Sequence, residues 1–190
     1  MCCSPLNWRQ WVAQIVTKLR GDINKRGLGA AINFAPDGDD IGSRDVGSRN
    51  DWLPIALQPL GSFALGNLFL TYPVSERNPT VSTIAHAVHA LLLIGESLEA
   101  GEAYLEQSRD DDGVWSGKKR HASWLCLTAQ AIAALGHGRP AWRDERALAG
   151  LLAKQHACGG CGIGDAPTFE ESAYAVLSLH MLSSHKIRQP

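Results

Sequence analysis

The chain has 190 residues, with 18 Lys and Arg against 19 Asp and Glu and a formal net charge of −1. That length fits one domain able to bury a core. The near-neutral balance argues against a general nucleic-acid binder, and no stretch is long and apolar enough to predict a membrane span.

Met1-Cys2-Cys3-Ser4-Pro5 lacks a basic segment followed by an apolar one, so no signal peptide is expected. Five cysteines, two of them adjacent, argue against a disulfide framework and for a reducing cytoplasm. Trp8, Trp11, Val12, Ile15, Val16 and Leu19 recur at helical spacing and predict an N-terminal helix within residues 1–25. A glycine-rich turn follows over Arg26–Ala31, and residues 33–50 read as polar loop. A short helix is expected between Trp52 and Leu60. Leu65 to Tyr72 is apolar and reads equally as strand or helix.

Beyond Pro79 the pattern is helical. Thr80 or Ser82 caps a helix carrying Ile84, Ala85, Val88, Leu91, Leu92 and Ile94. Further helices are predicted over Leu98–Ser108, Ser123–Leu135, Asp144–Gln155 and Phe169–Leu182. Residues 184–190 read as a disordered tail. A faint repeat aligns Gln107 and the turn before Trp115 with Gln155 and the turn before Cys161, a period of about 48 residues. Paired helices with this repeat form an open solenoid or close into an α/α barrel.

Asp37-Gly38-Asp39-Asp40 sets three carboxylates within four positions. Pro36 and Gly38 oppose a regular helix there. Crowded carboxylates and burial both raise a pKa, so one carboxyl can keep its proton and serve as a general acid. Taken alone, the motif reads first as a hydrated acidic loop or a loose metal site, since short Asp-rich loops are common. Cys158-x-x-Cys161 invites a zinc reading, but four ligands are needed and no second cysteine pair exists. Zinc is therefore not expected, nor is any protein-held metal.

Four segments in order resemble the class II terpene cyclases, in particular bacterial diterpene cyclases of the copalyl or halimadienyl diphosphate type. Asp37–Asp40 is similar to the family's Asp-x-Asp-Asp acid motif. Tyr72–Pro79 with Val81–His86 resembles its next block. Trp115–His121 resembles the lead into a later barrel helix. Gln155–Gly162 with Glu170–Leu177 is similar to its terminal glutamine–glycine repeat. Departures fall inside the motifs: Ile41-Gly42 stands where relatives carry Thr-Ala, and Ile84 stands where many carry Asn.

The resemblance implies an all-α fold. Residues 26–183 would form a partial α/α barrel of paired helices, the C-terminal part of the β domain. The first barrel helices and the γ domain would come from another polypeptide, or the chain would self-associate. The implied reaction is protonation-initiated cyclization of geranylgeranyl diphosphate to a bicyclic diphosphate, an isomerase (intramolecular lyase) activity. Asp39 would donate the proton, with Asp37 and Asp40 tuning it. Trp115, Trp124, Tyr72 and Phe69 are the candidate cavity aromatics. Lys118, Lys119 and Arg120 are the candidate diphosphate contacts, with Mg²⁺ arriving on the diphosphate. His86 and His121 are candidates for the final deprotonation. The competing reading is a non-catalytic helical-repeat remnant that binds an isoprenoid or a partner protein.

Overall fold

The computed structural model describes residues 58–72, 77–93, 95–116, 122–137, 142 and 144–183. The acid motif at Asp37–Asp40, the N-terminal helix, the Lys118–His121 segment and the tail lie outside the described residues. What is described is predominantly α-helical, with one small hairpin.

A 3₁₀ helix over Gln58–Phe63 leads into β1 (Ala64–Leu65) and β2 (Leu68–Phe69), which pair antiparallel with Leu65 opposite Leu68. The stretch that reads as strand or helix is therefore a hairpin, turned at Gly66-Asn67. Leu70 donates its backbone N–H to the Phe63 carbonyl at 2.8 Å and ties the hairpin back onto the 3₁₀ helix.

Five α-helices follow: α1 (Val81–Leu93), α2 (Glu99–Gln107), α3 (Trp124–Gly136), α4 (Glu145–Ala153) and α5 (Phe169–Ser183). Most of their starts are set by side-chain caps that satisfy free backbone N–H groups. Thr80 Oγ1 accepts from the Thr83 N–H, while Ser82 is buried inside the first turn, so Thr80 is the cap of α1. Ser123 caps α3 through the Cys126 N–H, Asp144 caps α4 through the Ala147 N–H, and Thr168 caps α5 through the Glu171 N–H. Helix α4 ends at Ala153, two residues before Gln155, because the chain already turns at Lys154.

The helices divide by composition into two kinds. Helices α1 and α3 are apolar on most faces and bury residues all round, as interior helices do. Helices α2 and α4 bury one narrow face each. Accordingly α3 sits between α1 and α5 in an inner layer, α2 packs on α1, and α4 contacts α5. The main core joins Ile84, Val88, Leu105, Trp115, Leu125, Ile132, Leu135 and Leu151. A smaller cluster of Leu60, Phe63, Ala87 and Ala90 holds the hairpin end against α1.

The repeat is real, with a period of 46 residues rather than about 48. Asp110 N–H bonds the Val114 carbonyl, and 46 residues on His156 N–H bonds the Gly160 carbonyl, both at 2.9 Å. Gly113 and Gly159 take φ of 88° and 87° at the same place in the two turns. Trp115 and Cys161 then each give a backbone N–H to a hydroxyl on the following helix, Thr128 or Ser172, which donates back to the same residue's carbonyl. Matching Gln107 to Gln155 by letter displaced the alignment by two positions. Gln155 instead closes its own turn, donating Nε2 to the Gly159 carbonyl at 2.6 Å.

Candidate functional site

The inner layer carries polar side chains along one half-buried face. On α3 these are Cys126, Gln130 and, at the C-cap, His137. Steps of four and seven residues hold them on one side of the helix. On α1 they are His86 and His89, and on α5 Tyr174. Contacts join them across helices. His89 Nε2 and His137 Nδ1 lie 3.2 Å apart, one of them carrying the shared proton, with ring centroids 4.7 Å apart. Tyr174 is hydrogen-bonded to the Cys126 side chain, and Gln130 Nε2 donates to Cys126 Sγ at 3.4 Å. The α1 and α3 C-termini meet through the histidines, and the N-terminal halves of α3 and α5 meet through Cys126 and Tyr174. The three inner helices therefore run in the same direction.

The environment sets the charge of this face. Burial, then the neighbouring His137 and His86, lower the His89 pKa to about 4. His89 is thus neutral at physiological pH, an acceptor or donor but not a cation. The hydrogen bond with Cys126, then burial, push the Tyr174 phenol up to about 12, which keeps it protonated. Gln130 Oε1 is buried without a protein partner among the described residues. With His89 and Tyr174 both neutral, that part of the face suits contact with a largely apolar molecule better than binding of an anion.

The sequence-derived candidates separate into three groups. Phe69 is half-buried and bridges the two core clusters. Tyr72 and His86 are half-buried, each with interactions of its own. Trp124 is half-buried at the first turn of α3, with the Lys154 ammonium 5.4 Å from its ring centroid. Trp115 is different. It is 0 % exposed, its indole N–H donates to the Leu105 carbonyl at 2.7 Å, and the Arg109 guanidinium lies 4.3 Å over its ring. Arg109 is in turn held by Glu106 and Asp144. Asp37, Asp39, Asp40, Lys118, Lys119, Arg120 and His121 lie outside the described residues.

His89, His137, Gln130 and Tyr174 were not singled out by sequence reasoning. The 48-residue separation of the two histidines carries no local signal, although the helical register of His86 and His89 on one apolar helix was available. Cys158 is exposed and Cys161 buried, and burial followed by Cys158 and Glu171 raises the Cys161 thiol pKa. Among the described residues no group of three His, Cys, Asp or Glu side chains is placed to hold a metal, and no helix is long and apolar enough to cross a membrane.

No family model matches the chain. A protein of Sinorhizobium fredii, itself uncharacterized, is 47 % identical over 171 residues, covering 90 % of this chain and 33 % of its own length. The (+)-kolavenyl diphosphate synthase of Herpetosiphon aurantiacus is 34 % identical over 167 residues, covering 88 % of this chain and 32 % of that protein. Among solved structures, the ent-copalyl diphosphate synthase from Streptomyces platensis superposes with a TM-score of 0.74 at 28 % identity, covering 94 % of this chain and 36 % of that one. The chain therefore matches these diterpene diphosphate synthases in sequence and fold, and spans about a third of the length of the curated relatives it matches.

Proposed function

We propose that the chain acts in, or as a subunit of, a class II diterpene cyclase that converts geranylgeranyl diphosphate into a bicyclic diphosphate in the cytoplasm. The observation that carries this reading is the 34 % identity to a (+)-kolavenyl diphosphate synthase over 167 residues, most of this chain. The paired-helix arrangement is read as part of an α/α barrel of the β-domain type.

Asp39 would protonate the terminal alkene. A new C–H bond forms, the π electrons are consumed, and a tertiary cation is left. Asp37 and Asp40 tune that acid as one coupled set. Ring closure moves the positive charge along the chain until a base removes a proton and restores an alkene. The diphosphate is untouched, so the net change is isomerization. His86 and His121 are the bases in this reading. Phe69, Tyr72 and Trp124 present aromatic faces to the cation. Trp115, with its indole N–H already engaged, positions the α3 start by packing.

The diphosphate end would meet Lys118, Lys119 and Arg120. Mg²⁺ would come as the counter-ion of the substrate diphosphate. A water-poor cavity needs further walls. They would be supplied by a polypeptide carrying γ-domain and remaining β-domain helices, or by self-association.

The test incubates the protein, alone and with a candidate partner chain, with geranylgeranyl diphosphate and Mg²⁺. Products are dephosphorylated and identified by gas chromatography and mass spectrometry. Cyclic product is expected from the completed assembly, and Asp39→Asn should abolish it with the fold intact. Cyclic product that persists in Asp39→Asn overturns the assigned acid. A second reading, a non-catalytic helical-repeat protein binding an isoprenoid or a partner protein, is favoured by the exposed apolar face of α5. Absence of product from every folded assembly selects it.

A further inference from the structure

Helix α4 is seated on the first of the two repeated turns by three sets of contacts. Arg109, at the entry of the turn, pairs with Asp144, the N-cap of α4. Gly113 and Gly150 let the two backbones touch. A Cβ added at Gly113 would run into the Arg146 carbonyl, and one at Gly150 into the Asp112 carbonyl. Lys154 closes the far end on Asp112 at 2.7 Å. Gly113 and Val114 are buried in this contact. The second turn repeats the same backbone 46 residues on, and among the described residues no helix is seated on it. Gly159 stands in the place of Gly113 with the same positive φ, yet it is exposed and a Cβ there would meet nothing within 4 Å. Gln155 and Cys158, in the places of Arg109 and Asp112, are exposed. Leu152, in the place of Glu106, is 53 % exposed.

We propose that the second turn is the seat of an amphipathic helix of a partner polypeptide, docked as α4 docks on the first turn. The first turn defines what such a helix must carry. It needs glycine or alanine in the place of Gly150, where the backbones meet. The charged Glu106, Arg109 and Asp112 are replaced by Leu152, Gln155 and Cys158, so the partner helix is apolar or neutral where α4 is charged. A second copy of this chain does not supply it. The contact face of α4 is already engaged, and α2 carries Tyr104 where α4 has Gly150. The predicted N-terminal helix is too bulky, since its apolar stripe is Trp8, Trp11, Val12, Ile15, Val16 and Leu19. The polypeptide is the one that the proposed cyclase reading requires, while the seat follows from the repeat alone.

A fluorescein-labelled peptide of residues 142–155, the helix already fitted to the first turn, is the probe. It is titrated into the full chain and read by fluorescence anisotropy. A single short helix that folds as it binds should give a dissociation constant on the order of 100 µM. Peptide at about four times that concentration should slow the reaction of Cys158 with a maleimide about fivefold, followed cysteine by cysteine by mass spectrometry. Cys158→Asp recreates the acid of Asp112 opposite the peptide's Lys154. It should tighten binding about two- to fivefold, with helical circular dichroism unchanged. Gly150→Leu in the peptide places a side chain where the backbones meet and should weaken binding at least about tenfold. No binding to either the native chain or Cys158→Asp overturns the proposal, as does binding that leaves Cys158 fully reactive or that Gly150→Leu does not weaken. A Cys158 that is unreactive before peptide is added overturns it too, because the chain itself or a second copy then fills the seat. None of these readouts needs cyclase activity, so the seat and the proposed function fail separately.

Discussion

The two repeated turns share a backbone and differ in what they hold. Each closes with the same pair of backbone hydrogen bonds, a glycine at φ near 88°, and a hydroxyl from the next helix clasping the residue that follows. In the first unit that residue is Trp115, sealed beneath Arg109. In the second it is Cys161, 6 % exposed, a side chain far smaller than an indole. A side chain added at Gly113 would run into the backbone of Arg146 on α4, whereas one at Gly159 would meet nothing. The hydrogen-bond plan therefore builds the turn, and the packing around it decides how much stability the turn carries.

The sharpest way to break the comparison is to empty both clasps. Trp115→Ala removes a fully buried indole, its hydrogen bond to Leu105 and the surface under Arg109, and should cost about 3–5 kcal/mol. Cys161→Ala should cost about 1 kcal/mol. Urea denaturation of the two variants measures the gap, and equal losses would mean that the two turns contribute equally to stability. The glycines give the next largest contrast. Gly159→Ala meets only the strain of a positive φ, about 1 kcal/mol, while Gly113→Ala adds a backbone clash and should cost clearly more. Thr128→Val strands the buried Trp115 N–H and carbonyl, for about 1–3 kcal/mol. Ser172→Ala acts on a partly exposed pair and should fall at the lower end of that range or below.

Much of this was legible in the sequence, and the limits have physical causes. Five helices follow from apolar spacing and caps, because Thr80, Ser123 and Asp144 are capping residues placed at the head of periodic runs. The Leu65–Tyr72 stretch stayed ambiguous since a short apolar run has no period to read, and only the Gly66-Asn67 turn resolves it into a hairpin. The repeat was visible but misaligned, because Gln155 closes its turn by hydrogen bonding while Gln107 has no matching place in the first turn. The paired histidines were illegible, since their contact is made by the packing of α1 on α3. The acid motif at Asp37–Asp40 lies outside the described residues.

That histidine pair sets the pH response of the inner layer. His89 has a folded-state pKa of about 4 against 6.5 for an unperturbed histidine. The unfolded chain therefore binds a proton that the folded chain refuses between those values. The stability tied to neutral His89 is complete above pH of about 6.5 and is lost as pH falls toward about 4. With His89 partly exposed, solvent screening reduces the effect to about 1–2 kcal/mol. His89→Gln should flatten the stability profile across that window. A profile unchanged by the substitution would show that the pair does not couple to folding.

The smallest expected effect lies between the two turn units. Lys154, at the end of α4, reaches back to Asp112 in the first turn at 2.7 Å. The hydrogen bond from Lys154 holds the Asp112 carboxyl below its usual range; burial pushes the other way, and the Lys154 charge and nearby backbone N–H groups add to the lowering. Both partners are substantially exposed, so the pair gains little over solvated ions and should contribute no more than about 1 kcal/mol. Here the folded state favours the charged form, where for His89 it favours the neutral one, yet both lose stability in acid. A depressed carboxylate adds stability above the unfolded pKa and loses it as acid protonates the group. Lys154→Met keeps the aliphatic stem against Trp124 while removing the charge. The Asp112 carboxyl should then titrate at higher pH, as read by carbon-13 NMR, with stability changed by less than about 1 kcal/mol. A larger loss would mean that the bridge joins the two units and that they do not melt independently of it.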